Sequence, residues 1–164
     1  MLITQTLGRL MVIVALNAGL TLASDQITLQ GMDTGYFISN PGAQIATVIT
    51  NDFAEGVASH LGKYTVIARE EINNMNGAVT GGAFVIVTAN GDTLRGTYTG
   101  QAVFQPTSAT WTADGRIEGG TGRLAGASGV IKFAGSSDLS TCKSVAALSV
   151  CSFSETTLAT ITLP

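Results

Sequence analysis

Apolar and polar residues alternate along most of the chain after residue 25, and no stretch keeps the three-to-four-residue apolar spacing of an amphipathic helix. Runs over residues 26–37, 45–58, 64–73, 78–89, 93–104, 108–118, 128–134 and 152–163 predict about eight strands. The clearest, 93–104, puts Leu94, Tyr98, Ala102 and Phe104 on one face and Thr93, Arg95, Thr97, Thr99 and Gln101 on the other. Asn90-Gly91, between two such runs, predicts a hairpin with a type I′ turn, whose two central residues both need positive φ. Asn40-Pro41-Gly42 joins the first two runs, and Asp114-Gly115 marks a bulge or tight turn inside its own. Eight strands at this spacing predict an all-β fold, an antiparallel closed barrel whose interior side chains fill or which holds one small ligand. A β-sandwich is the alternative.

The first 23 residues follow a different pattern. Arg9 and the amino terminus give a modest positive region, residues 10–16 are apolar, and Thr21-Leu22-Ala23 offers small residues for cleavage after Ala23. Asn17 and Gly19 interrupt the run, which argues against a permanent span of about 20 residues. A cleaved signal peptide is the expectation, with a retained amphipathic anchor or a buried first strand as alternatives. Residues 24–164 then form a single domain, secreted or periplasmic, with no stable membrane span.

Composition sharpens this picture. Hydrophobic residues make up 45% of the chain, enough for one core, and charged residues only 12%, so threonine, serine and glycine fill the polar positions. β-Branched threonine suits a pleated surface. Without Arg9, seven basic residues face eleven acidic ones, a net charge of −4. The basic residues are scattered singly, which excludes the electrostatic footprint of a nucleic-acid binder.

Three phrases occur in order: residues 58–65 (ASHLGKYT), 88–94 (TANGDTL) and 119–129 (GGTGRLAGASG). Together they resemble bacterial secreted proteins related in architecture to the allene oxide cyclase and dirigent barrels. The similarity spans roughly residues 45–163, and the third phrase is the most specific. The resemblance implies a calycin-like eight-stranded barrel. It carries no reaction, because the catalytic groups of the cyclases and dirigent proteins do not map onto this chain residue by residue.

Candidate chemistry is sparse. His60 is the only histidine and lies in a turn-like stretch, so a metal site or a Ser-His-Asp triad would hang on one residue; it reads as structural or exposed. Cys142 and Cys151 lack the second pair of a zinc framework and the Cys-x-x-Cys spacing of a redox site. In an oxidising compartment they read as a disulfide closing a loop between the last two strands. Gly119-Gly120-Thr121-Gly122 lacks the Lys-Ser/Thr ending of a phosphate loop and reads as a tight connection, with Arg123 bonding nearby carbonyls. No metal or cofactor is expected.

The polar residues inside strand-like runs are Glu55, Arg69, Glu70, Arg95 and Glu155. Alternate residues of a barrel strand point inward, so one or two of them line the lumen, where an Arg opposite a Glu would orient a ligand. On the outer face they would be solvated pairs of little consequence. The candidate ligand-binding set is therefore Arg95, Arg69, Glu55, Glu155, Tyr98 and Trp111. Tyr36, Tyr64, Phe84, Phe104, Phe133 and Phe153 supply pocket or core. Three functions fit: a binder of a small apolar molecule in the lumen, a cofactor-free isomerase or cyclase, and a structural envelope or matrix protein with a filled barrel.

Overall fold

The computed structural model describes residues 25–41 and 46–164. The predicted signal peptide lies outside the described residues. Nine strands follow one another: β1 (Asp25–Pro41), β2 (Thr47–Ala58), β3 (Gly62–Asn73), β4 (Ala78–Thr88), β5 (Thr93–Gln105), β6 (Ser108–Gly120), β7 (Ser128–Asp138), β8 (Lys143–Val145) and β9 (Leu148–Leu163). Each long strand pairs antiparallel with the next, and β1 pairs with both β2 and β9. The sheet therefore closes into an eight-stranded up-and-down barrel, which removes exposed edges and sets aside the sandwich. β8 lies outside the ring. It pairs with the start of β9, Lys143 opposite Val150, beyond the segment where β9 pairs with β7. The stretch between the cysteines is thus a short hairpin and not the expected plain loop.

Strand direction gives the barrel two ends. The β2–β3, β4–β5 and β6–β7 connections lie at the lower end with Asp25 and Leu163; the end of β1, the start of β2 and the β3–β4, β5–β6 and β7–β9 connections lie at the upper end. Leu29, Ile86, Leu94, Ile117, Ile131 and Ile161 meet in the lower half, all at or below 3% exposure. Burying each such side chain contributes roughly 1.5–3 kcal/mol. Leu61, Leu124 and Ala127 from the lower connections join the same core. Threonines 28, 34, 65, 97, 99, 110, 112 and 156 face solvent on the outer wall, as the alternation predicts.

Two details of the sequence reading change. The β4–β5 connection is a three-residue loop, Ala89-Asn90-Gly91, with Gly91 N donating to Thr88 O and Thr88 N to Asp92 O, both at 2.9 Å. Only Gly91 takes positive φ (87°), so this is a type I turn with a glycine bulge and not type I′. Asp114-Gly115 pairs regularly with Lys132 and Ile131. The bulges fall elsewhere, at Thr80-Gly81 in β4 and opposite the Arg95–Gly96 step in β6. Gly81 sits at φ 61° with open space around it, as a bulge glycine should.

Candidate functional site

The upper half of the lumen is not filled. A cavity of about 360 Å³ reaches from Asp33, Phe84, Tyr98 and Phe133 at mid-barrel up to Asn74, Phe104, Leu139 and Ser149 at the rim. At ~30 Å³ per water this is room for about a dozen waters, within the range of small-molecule pockets. Its walls are mostly apolar. Phe84, Tyr98 and Phe133 pack mutually, with centroids 5.5–6.3 Å apart, and close the floor. Above them Trp111 meets Phe153 edge-on at 5.7 Å, and Phe153 stacks on Phe37 at 6.3 Å.

Inward-facing glycines make space for these rings. A Cβ at Gly135 would lie 2.3 Å from the Trp111 ring, and one at Gly82 would lie 2.6 Å from Tyr98. The wall is thin where a bulky ring leans on it. That is a packing use of glycine, separate from its use in turns.

Four carboxyl groups project into this apolar space: Asp33 from β1, Asp52 from β2, Glu70 from β3 and Glu155 from β9. Asp33 and Glu155 are direct cross-strand partners, and such residues share a face. Asp52 pairs with Ala68, so Glu70 is its diagonal neighbour on the same face. The two carboxyls influence each other's titration, and burial raises both. Tyr98 donates to Glu70 Oε2 at 2.5 Å, Trp111 Nε1 to Glu155 Oε2 at 2.6 Å, and Tyr64 to Asp33 Oδ2 at 2.8 Å. Thr157 adds a longer contact to Asp33 Oδ2 at 3.3 Å. Asp33 Oδ1 is buried with no hydrogen-bond partner among the described residues.

Burial dominates the acidity of all four. It pushes Glu155 up to about 8, against the Trp111 hydrogen bond that favours its charged form, with Asp33 and Glu70 adding repulsion. Asp52 is raised well above the ordinary carboxyl range by burial and then by Glu70. Glu70 and Asp33 are also raised by burial, with their tyrosine hydrogen bonds pulling the other way. Tyr64 and Tyr98 are raised by burial and by the adjacent acids, so both remain hydrogen-bond donors. No Lys, Arg or His among the described residues lines the cavity.

No protein-family model, curated protein or solved structure matches the chain. The site therefore has to be read from its own geometry.

Of the candidate set, Glu155, Tyr98 and Trp111 line the lumen. Glu55, Arg69 and Arg95 do not; they are exposed on the outer wall. Strand parity is the cause. Arg69 precedes inward-facing Glu70, and Arg95 stands between buried Leu94 and Gly96, so each shares its face with outward threonines. The expected lumen Arg–Glu pair is thus absent among the described residues. Tyr36 is also outward, stacked on Phe53 at 5.4 Å. His60 is exposed in the β2–β3 turn. Arg123 contacts the Asp92 carboxylate at 2.7 Å, where carbonyls were expected. Cys142 and Cys151 form a disulfide beside the upper rim.

Asp33 and Asp52 were not among the candidates. Asp33 had a readable signal, since it lies at even spacing from Leu29 and Phe37 and so on their face. Asp52 had none, because both faces of its run carry apolar residues: Val48 and Ala54 on one, Ile49, Phe53 and Val57 on the other.

Proposed function

We propose that this protein binds a small, largely apolar molecule in the upper lumen of its barrel. The cavity carries the reading: about 360 Å³, with aromatic and aliphatic walls and a few polar groups held in place by buried donors. Such a combination is typical of small-molecule sites, and a barrel packed solid as a structural element would have no use for it. Glu155, Tyr98 and Trp111 are the proposed polar contacts, joined by Asp33. We also assign the chain to the allene oxide cyclase- and dirigent-like barrels, on its three sequence phrases and its eight-stranded ring. Export to an oxidising compartment accords with the Cys142–Cys151 disulfide. No helix among the described residues is long and apolar enough to cross a membrane.

One observation favours a second reading, a cofactor-free isomerase. Asp52 and Glu70 are neighbouring carboxyls, both raised by burial inside an apolar cavity, an arrangement suited to giving and taking protons. Turnover of a bound ligand would select it over simple binding.

The test is calorimetric titration of the non-reduced protein with naphthalen-1-ylmethanol, a neutral molecule of about a dozen heavy atoms. Saturable one-to-one binding is expected. Ala102→Phe, which fills the cavity wall, should abolish it, and outward Val103→Ser should leave it intact. Absence of binding, or binding that survives Ala102→Phe, would overturn the lumen reading.

A further inference from the structure

Among the described residues the lumen holds four carboxyls and no basic side chain, and the donors that reach those carboxyls are already committed. Tyr98 is spent on Glu70, Trp111 on Glu155, and Tyr64 with Thr157 on Asp33 Oδ2. The second oxygen of Asp33, a residue 2% exposed, finds no donor among the described residues. An orphaned buried acceptor of this kind is costly, and a partner that supplies a donor relieves it. Asp33 also stands directly across from Glu155 on β9, and once Glu155 gives up its proton, near pH 8, like charges in that position repel. With Glu155 ionised, two things are missing there: an N–H or O–H donor to Asp33 Oδ1, and a positive charge to balance Asp33 and Glu155.

We propose that the lumen selects a small organic ammonium, an apolar body bearing one primary amine, with the amine seated between Asp33 and Glu155. An alkylammonium has three donors and no acceptor, so it can satisfy Asp33 Oδ1 and a Glu155 oxygen together. An alcohol supplies the donor without the charge. A carboxylate ligand adds a fifth acid to the site and is refused. The aromatic line Trp111–Phe153–Phe37 favours the same choice, because ring faces attract a cation. No cluster of His, Cys, Asp and Glu among the described residues is arranged to hold a metal ion, so an organic cation fits where an inorganic one does not. The amine's apolar body would lie against Phe37, Phe84 and Phe133.

This rests on the lumen reading above and adds the chemical class of the ligand. The test compares naphthalen-1-ylmethanamine with naphthalen-1-ylmethanol, nearly equal in shape, by titration calorimetry on the full non-reduced protein at pH 8. The ammonium is expected to bind at least tenfold more tightly. Asp33→Asn and Glu155→Gln, made separately, should each bring the ammonium down to within about threefold of the alcohol, whose own affinity stays put. Calcium at millimolar concentration should not compete. Circular dichroism confirms that each variant folds, and two separate substitutions guard against the loss of one. Equal binding of the two probes, a preference for the alcohol, or a preference that survives both substitutions would overturn the ammonium assignment while leaving the lumen site standing. Failure of both probes to bind would remove the two proposals together.

Discussion

Replacing Glu155 by glutamine should stabilise the unliganded protein in alkaline solution and do nothing of the kind in mild acid. Glu155 titrates near 8 in the folded barrel against 4.5 for an ordinary glutamate. A raised folded-state value means that the folded chain holds a proton which the unfolded chain has lost. The stability associated with this group is therefore fully present below pH 4.5, declines as pH rises through the window up to 8, and stays low above it. At 1.36 kcal/mol per pH unit, the full interval is worth ~5 kcal/mol. Glutamine removes that penalty and can still accept the Trp111 Nε1–H bond, but burying its amide costs about 1–3 kcal/mol. The net gain at pH 9 is then about 2–4 kcal/mol.

The groups that face Glu155 act in the same direction. Asp33 on β1, Asp52 on β2 and Glu70 on β3 are all raised, and Trp111 on β6 is uncharged. The wild-type protein should itself become more stable as pH falls from 8 towards 4.5. Urea unfolding followed by far-UV circular dichroism at pH 4.5, 6, 7.5 and 9 gives the comparison, with the single tryptophan as a second probe. The variant should lead the wild type by about 2–4 kcal/mol at pH 9 and trail it by about 1–3 kcal/mol at pH 4.5, where only the cost of burying the amide remains. A gap that is constant across pH, or opposite in sign at pH 9, would refute the argument that burial keeps Glu155 protonated.

Other outcomes follow from the same geometry. Leu94→Ala, in the filled lower half, should cost about 2–5 kcal/mol in urea unfolding while leaving probe affinity unchanged. Gly135→Ala places a methyl against the Trp111 ring and should cost about 1–3 kcal/mol, accompanied by a shift of the tryptophan emission maximum. Cys142→Ser with Cys151→Ser opens a short loop, nine residues apart in sequence, and should lower stability by about 2–3 kcal/mol, read against the oxidised wild type. Arg95→Ala, on the outer wall, should alter neither probe binding nor stability by more than about 0.5 kcal/mol.

Much of the fold was legible because period-two alternation is a strong signal when one face is buried. The run around Leu94, Tyr98 and Ala102 predicted a strand with those residues on one face, and the structure turns that face inward. The same run already grouped Arg95 with the outward threonines, so its place on the outer wall follows from its own neighbours. Turn type was harder to read. Asn90-Gly91 fits both a type I′ turn and a type I turn with a bulge, and the choice depends on hydrogen bonds made by Thr88 and Asp92. The acid cluster was mostly hidden. Asp33, Asp52, Glu70 and Glu155 come from four strands, and their meeting depends on ring closure between β1 and β9, which no local pattern encodes. The cavity was hidden for a related reason. Gly82 and Gly135 serve as landing sites for Tyr98 and Trp111, a role set by residues distant in sequence.

The most direct test of the lumen as the binding site is an alanine-methyl NMR titration with naphthalen-1-ylmethanol. Alanines are distributed over every relevant surface. Ala68, Ala102, Ala109 and Ala113 line the cavity, Ala58, Ala127 and Ala159 are buried outside it, and Ala83 and Ala134 face solvent. The account predicts that the first group shifts on titration and that the other two stay in place. Shifts confined to Ala83 and Ala134, or a spectrum unmoved at saturating probe, would contradict it.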